Sequence, residues 1–259
     1  MAYSTLKLER AGRIATITLS RPERRNAISR ALMDELTLAL SESMTVGAHV
    51  VILTGEGQAF CAGMDLEDLR SIASQSLHQH KADARHMANF FHGIYSYPLP
   101  LIAAVNGAAI AGGTGIATLA DFTLAVPEAK FGYTEVRIGF LPAVVSIFLR
   151  RQVGDKRARE LLLSARLFDS AEAHAMGLVT RIVPPASLLD EAHKLAESLL
   201  AWSPASLERT KRLLRQGQEA EIQKELETAI RESADIRTTP DFHEGLSAFL
   251  EKRAPKWTE

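Results

Sequence analysis

The feature that most constrains the fold of this chain is residues 101–115, which read LIAAVNGAAIAGGTG. A continuous apolar run is broken at Asn106 and Gly107, and further glycines follow as Gly112, Gly113 and Gly115. This pattern is typical of a buried strand that leads into a glycine-rich turn and a helix. Glycines let a backbone approach a ligand closely, and a helix N-terminus offers unpaired N–H groups that favour negative charge. We therefore expect this turn to hold an anion or a developing oxyanion.

Composition narrows the class of protein. The 259 residues are 46% hydrophobic, which is enough for the core of one α/β domain or slightly more. The net charge of −1 gives no basic excess, so we expect no nucleic-acid partner. A single cysteine, Cys61, rules out an intramolecular disulfide and suits a reducing compartment. Because no signal-type or membrane-length apolar run is present, we expect a cytoplasmic protein that does not associate with membranes.

Strand-like runs alternate with helical periods in the first 140 residues, which predicts an α/β fold of repeated ββα or βα units. Ser29 is the expected N-cap of the first helix, and Asp169 or Ser170 that of a later short one. The predicted strands are a hairpin over residues 5–19 and single strands at residues 50–53, 101–105, 122–126 and 179–183. Three helices follow residue 203. Their apolar faces could mediate oligomerisation or pack back onto the same domain, and the pattern leaves both open.

A second small-residue turn, AFCAGMDL at residues 59–66, precedes AVNGAAIAGG at residues 104–113. With this order and separation, the chain resembles the enoyl-CoA hydratase/isomerase (crotonase) superfamily, from the first hairpin to the FLEK of residues 249–252. The resemblance implies a crotonase-like spiral of ββα units over residues 1–200. It also implies a helical C-terminal region, residues 201–259, that builds trimers, commonly paired into hexamers.

The resemblance further implies a chemistry. Members of this family place an acyl-CoA thioester carbonyl between two backbone N–H groups and pass through an enolate. The matching donors here are the N–H groups of Met64 and Gly112, and a donor of this kind contributes about 10²–10³ in rate. The implied partner is an acyl-CoA substrate. No metal and no separate cofactor are expected, because CoA arrives as part of the thioester.

The acidic residues distinguish among reactions. Hydratases of this family typically use two glutamates, and Glu135 matches the second, whereas Gly115 stands where the first would lie. Hydration needs one group to activate water and a proton for the α-carbon, but double-bond migration needs only one base. A single glutamate therefore suits isomerisation better. Hydration stays open if another acid, such as Glu67 or Asp68, reaches in from a loop.

The resemblance also indicates residues along the CoA path. Lys252 matches a C-terminal lysine that approaches a CoA phosphate, often from a neighbouring subunit, although a solvated surface lysine is an equally good interpretation. Positions that resemble the lining of the adenine and pantetheine path are Arg25, Ala27, Ala62, Asp65 and Leu66.

After Pro142 the chain reads AVVS at residues 143–146, where family hydratases often have glycines. Bulkier side chains at this helix start would reshape the acyl site, and the aspartate nucleophile of dehalogenase members is missing. Cys61 has no adjacent histidine or lysine, so we interpret it as a packed small residue.

The segment before residue 96 raises two further questions. Its histidines lack the spacing of a metal site, so we interpret them as part of an exposed surface: His78, His80, His86 and His92. A helical apolar stripe in the same segment could wall an acyl pocket or belong to the core: Met87, Phe90, Phe91 and Ile94.

Three functions remain open from the sequence. The first is an enoyl-CoA isomerase or hydratase of fatty acid metabolism, with Glu135 as the acid/base. The second is an acyl-thioester decarboxylase of the same family, and the third is a non-catalytic acyl-CoA-binding protein, which the missing glutamate suggests. The acyl chain, the pathway and the oligomer size are not determined by the sequence.

Overall fold

The computed structural model describes residues 3–72 and 75–258. Its strands are β1 Leu6–Ala11, β2 Ile14–Leu19, β3 Val50–Gly55, β4 Ala59–Cys61, β5 Leu101–Val105, β6 Ala108–Ile110, β7 Phe122–Ala125, β8 Lys130–Gly132, β9 Phe168–Asp169 and β10 Arg181–Ile182. Its helices are α1 Arg30–Thr45, α2 Leu66–Ile72, α3 Leu77–Tyr95, α4 Gly112–Leu119, α5 Ala143–Ser164, α6 Ser170–Ala175, α7 Leu188–Leu200, α8 Pro204–Gln216, α9 Glu219–Ile236 and α10 Pro240–Glu251. Short 3₁₀ turns occur at Pro22–Arg24, Glu135–Ile138 and Pro185–Ser187.

The larger sheet of the described chain has the order β1-β2-β3-β5-β7-β10. Strands β1 and β2 form the predicted antiparallel hairpin, in which Leu6 lies opposite Leu19. The remaining neighbours pair in parallel. Strands β3 and β5 are buried along nearly their whole length, as expected for parallel strands covered on both faces.

A smaller sheet in the order β4-β6-β8-β9 lies beside the larger one. Its first three strands each follow a strand of the larger sheet, since β4 comes after β3, β6 after β5 and β8 after β7. A helix follows each of these pairs, so the chain repeats a ββα unit as predicted. The repetition places the residues that follow β4, β6 and β8 at one edge of the smaller sheet.

Residues 101–115 differ in detail from the prediction. They form two strands, β5 and β6, and the glycines lie inside the first turns of α4 rather than in a turn before it. The reason is close packing of α4 on β4, because a Cβ atom at Gly113 would lie 2.1 Å from the Cys61 carbonyl oxygen. The left-handed φ at this turn belongs to Ala111, at 51°. The strand expected at residues 179–183 is also shorter and covers only Arg181–Ile182.

Two of the C-terminal helices pack back onto the rest of the chain. Helix α9 contacts α3 and α5, and its Ile222, Leu226 and Ile230 join the main core. Helix α10 contacts the 3₁₀ turn Glu135–Ile138. Helix α8, in contrast, has no buried residue within the described chain. The boundary at residue 200 and the trimeric assembly stay predictions.

The four histidines lie on α3, and the prediction that all of them belong to an exposed surface is wrong. His78 is exposed, but His80 is buried, with its Nε2 3.0 Å from the Ile72 carbonyl oxygen. His86 and His92 are half-buried and approach Asp34 and Glu219 at 3.0 and 2.9 Å respectively. His80, His86 and His92 therefore join α3 to its neighbours. In residues 3–72 and 75–258 no group of three or more His, Cys, Asp or Glu residues could hold a metal.

Candidate active site

A cavity of about 780 Å³ opens at the edge of the smaller sheet. Its walls come from the loop before α1, the segment after β4, helix α3, the start of α4, the Glu135 turn and the start of α5. The three residues predicted to be catalytic all line it: Met64, Gly112 and Glu135. The structure thus brings together groups that are 71 residues apart in the chain.

The two predicted N–H donors have no competing partner. The Ile28 N–H donates to the Gly63 carbonyl at 2.7 Å, and the Asp65 N–H donates to the Ile28 carbonyl at 2.9 Å. Met64 lies between those two bonded groups, and Gly112 begins α4. Within the described chain, neither the Met64 nor the Gly112 N–H has an acceptor. Unpaired donors that line one cavity can hold an oxygen on which negative charge develops.

A strained residue precedes the second donor. Ala111 has φ 51° and ψ −121°, a conformation that favours glycine. Its N–H donates to the Gly132 carbonyl at 2.7 Å, and its carbonyl accepts from the Gly115 N–H at 3.2 Å. Strain of this kind costs about 1–3 kcal/mol and persists only when surrounding contacts enforce it. Here those contacts set the direction in which α4 begins, and with it the Gly112 N–H.

Glu135 begins the 3₁₀ turn that follows β8. Its Oε2 atom is buried and has no hydrogen-bond partner among the described residues. Burial favours the uncharged form and raises the pKa of this carboxyl to about 7. A carboxyl group with such a pKa both takes up and releases a proton near neutral pH, which suits a general acid/base.

The place expected for a second carboxyl group is occupied by hydrocarbon. A Cβ atom at Gly115 would lie 2.7 Å from Val145 Cγ1 and 3.0 Å from Phe91 Cε1. Neither alternative acid from α2 lines the cavity. Glu67 pairs with Arg24 at 2.7 Å, and Asp68 accepts the Arg30 N–H at 2.9 Å.

The other cavity carboxyls in the described chain are poorly suited to catalysis. Glu23 is exposed, and Asp65 is buried in an ion pair with Arg21 at 2.9 Å. Arg21 compensates the charge of Asp65, whereas Glu135 is a buried cavity carboxyl with no cationic partner among the described residues.

The residues predicted for the CoA path are placed as follows. Five of them line the cavity: Arg25, Ala27, Ala62, Asp65 and Leu66. Lys252 does not line it and instead caps the end of α10 with φ 57°. Its neighbour Arg253 lines the cavity, which the sequence analysis missed. The ligand roles of all these residues stay predictions.

The apolar stripe on α3 divides between the two expected roles. Met87 and Phe91 line the cavity, whereas Phe90 and Ile94 lie in the main core. From α5, Val144 and Val145 also line the cavity, together with residues that the sequence analysis did not single out: Leu69, Ile138, Phe140 and Leu141. Ile138, Phe140 and Leu141 follow Glu135 closely in the chain. Their proximity to a predicted catalytic residue could have indicated that they line the cavity.

Asn26 is a second residue that the sequence analysis missed. It is fully buried, with φ 54°. Its Oδ1 accepts the Arg21 N–H at 2.8 Å, and its Nδ2 donates to the carbonyls of Ala59 and Glu56 at 2.8 and 3.0 Å. The amide thereby fixes the loop that pairs with the Met64 segment. No local pattern in the sequence distinguishes it from an ordinary polar loop residue.

Comparison with known proteins identifies the family of this chain. The sequence profile of the enoyl-CoA hydratase/isomerase family matches residues 9–259. The chain belongs to this family. A Thermus thermophilus protein that bears the name enoyl-CoA hydratase is 42% identical over 247 residues, covering 95% of this chain and 98% of the relative. The 2,3-dehydroadipyl-CoA hydratase of Escherichia coli is 34% identical over 254 residues, covering 97% and 98%.

Solved structures extend the comparison to the fold. The crystal structure of an enoyl-CoA hydratase/isomerase from Pseudoalteromonas atlantica superposes with a TM-score of 0.88 at 30% identity, covering 98% of this chain and 100% of that one. The α/β crotonase fold predicted from two motifs is therefore confirmed for this enoyl-CoA hydratase/isomerase family member. None of its described helices combines the length and apolarity that a membrane crossing requires.

Proposed function

We propose that this protein is an acyl-CoA enzyme that moves a double bond between the β,γ and α,β positions of an enoyl-CoA. In this proposal Glu135 is the single acid/base, and the Met64 and Gly112 N–H groups stabilise the thioester enolate. The observation that carries the proposal is the buried, unpartnered carboxyl oxygen of Glu135 in a cavity that also holds two unpaired N–H donors. The acyl-CoA substrate follows from the family to which the chain belongs.

The reaction is a transfer of one proton between two carbons. With a 3-enoyl thioester, the Glu135 carboxylate takes a proton from C2, and the electron pair is delocalised onto the thioester oxygen. The two N–H groups stabilise that oxygen as its charge grows. The double bond moves to C2 and C3 as Glu135 returns the proton to C4, so that no atom is gained or lost.

The pKa of Glu135 suits both halves of this cycle. At a pKa of about 7, a large fraction of the free protein carries the carboxylate needed for abstraction at neutral pH. The same value makes the protonated form acidic enough to return the proton without a large barrier. An ordinary, solvated glutamate would be a weaker base for the first step.

Hydration is the second candidate, because relatives of this chain bear hydratase names. Addition of water to a 2-enoyl thioester places oxygen on C3 and a proton on C2, a task usually shared by two acids. At Gly115, where the first glutamate was expected, the neighbouring space is filled by Val145 and Phe91. Isomerisation is therefore the better-supported reaction.

The test is the exchange of the proposed acid/base. Glu135→Gln keeps the side-chain shape but cannot accept the proton, so we expect kcat for 3-enoyl-CoA isomerisation to fall by about 10²–10⁴-fold. Thioester binding, measured by calorimetry, should be retained. Glu23→Gln is the matched control, since it changes an exposed carboxyl at the same cavity and should leave kcat unchanged. Full activity of Glu135→Gln would overturn the proposal.

A further inference from the structure

Three helices meet at Gly115. The glycine lies in α4, and the atoms nearest to its missing side chain belong to Val145 of α5 and Phe91 of α3. Both neighbours are buried, and both line the cavity. We call the surface formed by Phe91 and Val145 the apolar wall.

The two side chains of the apolar wall cannot easily move away from position 115. A separation of 2.7 Å from a Cβ atom is shorter than real side chains show, so any larger residue at position 115 must displace Val145, and at 3.0 Å it also presses on Phe91. Val145 is β-branched and, in a helix, strongly prefers one χ1 rotamer. The Phe91 ring packs edge-on against Phe90, with ring centroids 5.2 Å apart. Position 115 and the apolar wall are therefore sterically coupled.

For hydration, the lack of polar groups on the apolar wall matters more than the volume that the wall fills. A bound water needs two to four polar partners, and the side chains of Phe91 and Val145 offer none. In members with two glutamates, the carboxyl expected at position 115 would supply both a partner for water and a proton. Here the same volume is hydrocarbon.

We propose that Phe91 and Val145 determine the reaction specificity of this site, because they exclude both a second acid and the water that hydration consumes. This inference rests on the proposed function. Because the wall holds no water, the enolate formed by Glu135 is quenched by proton return from Glu135. Hydration would instead need a water oxygen to bond to C3, its proton to reach a base, and another proton to reach C2.

The first experiment introduces a glutamate at position 115, with and without removal of the Val145 side chain with which it would collide. Gly115→Glu alone should lower isomerisation at least tenfold and produce no hydration, because the new side chain collides with Val145. Gly115→Glu combined with Val145→Gly should raise hydration of a 2-enoyl-CoA at least tenfold above the unmodified protein. The matched control combines Gly115→Glu with Val144→Gly, which opens the neighbouring cavity-lining position that does not face Gly115. Equal hydration by the single variant, or by the control, would overturn the inference.

A second experiment does not depend on turnover. Overpacking by one methyl group should make Gly115→Ala lower Tm by about 3 °C or more. Adding Val145→Ala should recover at least half of that shift, whereas Val144→Ala should recover none. If the Tm shifts of Gly115→Ala and Val145→Ala are additive, position 115 and the apolar wall are not coupled. The inference then fails even if Glu135→Gln is inactive. Conversely, an active Glu135→Gln variant with coupled Tm shifts would reject the proposed acid/base and leave the packing of the wall intact.

Discussion

At the residue scale, the environment of Glu135 controls when its carboxyl group can act. Water stabilises a carboxylate far better than hydrocarbon does, so burial favours the protonated form of Glu135, and the hydrogen bond from its own backbone offsets this only in part. The resulting pKa of about 7 lies well above the ordinary value of 4.5. Two pH dependences follow, one for activity and one for stability.

For activity, the carboxylate is the form that abstracts the proton. We expect kcat/KM for isomerisation to rise about tenfold per pH unit below a pKa near 7 and to level off above it. Steady-state assays from pH 5 to pH 9 measure this profile. A flat profile across the range would contradict the assignment of Glu135 as the base.

For stability, the sign is opposite to that of an ordinary ion-paired glutamate. The folded protein binds this proton more tightly than the unfolded chain, so the free energy of unfolding falls as pH rises from about 4.5 to about 7. The loss is at most about 3 kcal/mol. Glu135→Gln should remove that part of the pH dependence in urea unfolding, whereas Glu23→Gln should not.

At the element scale, a buried ion pair joins α3 to the end of α9. Arg237 is fully buried and donates through Nη1 to Asp83 at 2.6 Å. Its guanidinium lies 5.4 Å from the centroid of Phe140, a cavity residue. In residues 3–72 and 75–258, its Nε and Nη2 have no hydrogen-bond partner. Asp83 is therefore its one charge partner in the described chain, and removing it leaves the guanidinium uncompensated.

We expect Asp83→Ala to lower the free energy of unfolding by about 3–5 kcal/mol, because it leaves a buried unpaired charge. Combining it with Arg237→Met should recover much of this loss. Arg85→Ala is the matched control, since Arg85 and Glu227 join the same two helices in an exposed pair at 2.6 Å. The control should cost less than about 1 kcal/mol. Equal costs in urea unfolding for Asp83→Ala and Arg85→Ala would contradict the role of the buried pair.

At the scale of the whole molecule, the apolar residues of α8 are poorly covered, since no residue of this helix is buried within the described chain. Leu213 and Leu214 are 69% and 76% exposed, and nearby Trp202 is 64% exposed. Packing within the chain accounts for α9 and α10 but not for these side chains. We therefore retain the proposal, made from the family resemblance, that the C-terminal region builds trimers.

Sedimentation should give a mass about three or six times the 28.3 kDa of one chain. We expect Leu213→Ser combined with Leu214→Ser to weaken the assembly, because it removes exposed apolar area from α8. Arg212→Ser changes an exposed residue on the same helix and serves as the control. A monomeric unmodified protein at micromolar concentration would contradict the proposed assembly.

Local signals in the sequence determined much of the fold. Alternation predicted the hairpin, the side chain of Ser29 caps α1 through the Leu32 N–H, and Asp169 caps α6. The three helices expected after residue 203 are present as α8, α9 and α10, separated near residues 217 and 239. These features were predictable because caps, breakers and periodicity act between residues only a few positions apart. The two glycine motifs, through the family resemblance, also indicated which residues share the cavity.

Tertiary structure decided what those residues can do. Gly113 is required because α4 passes within contact distance of Cys61, and Ala111 carries the strained φ because the contacts on both sides enforce it. The pKa of Glu135 depends on burial by elements distant in the sequence. The space beside Gly115 is filled by Phe91 and Val145, which belong to two other helices. Each of these effects arises between groups brought together only by folding, so no local pattern in the sequence encodes it.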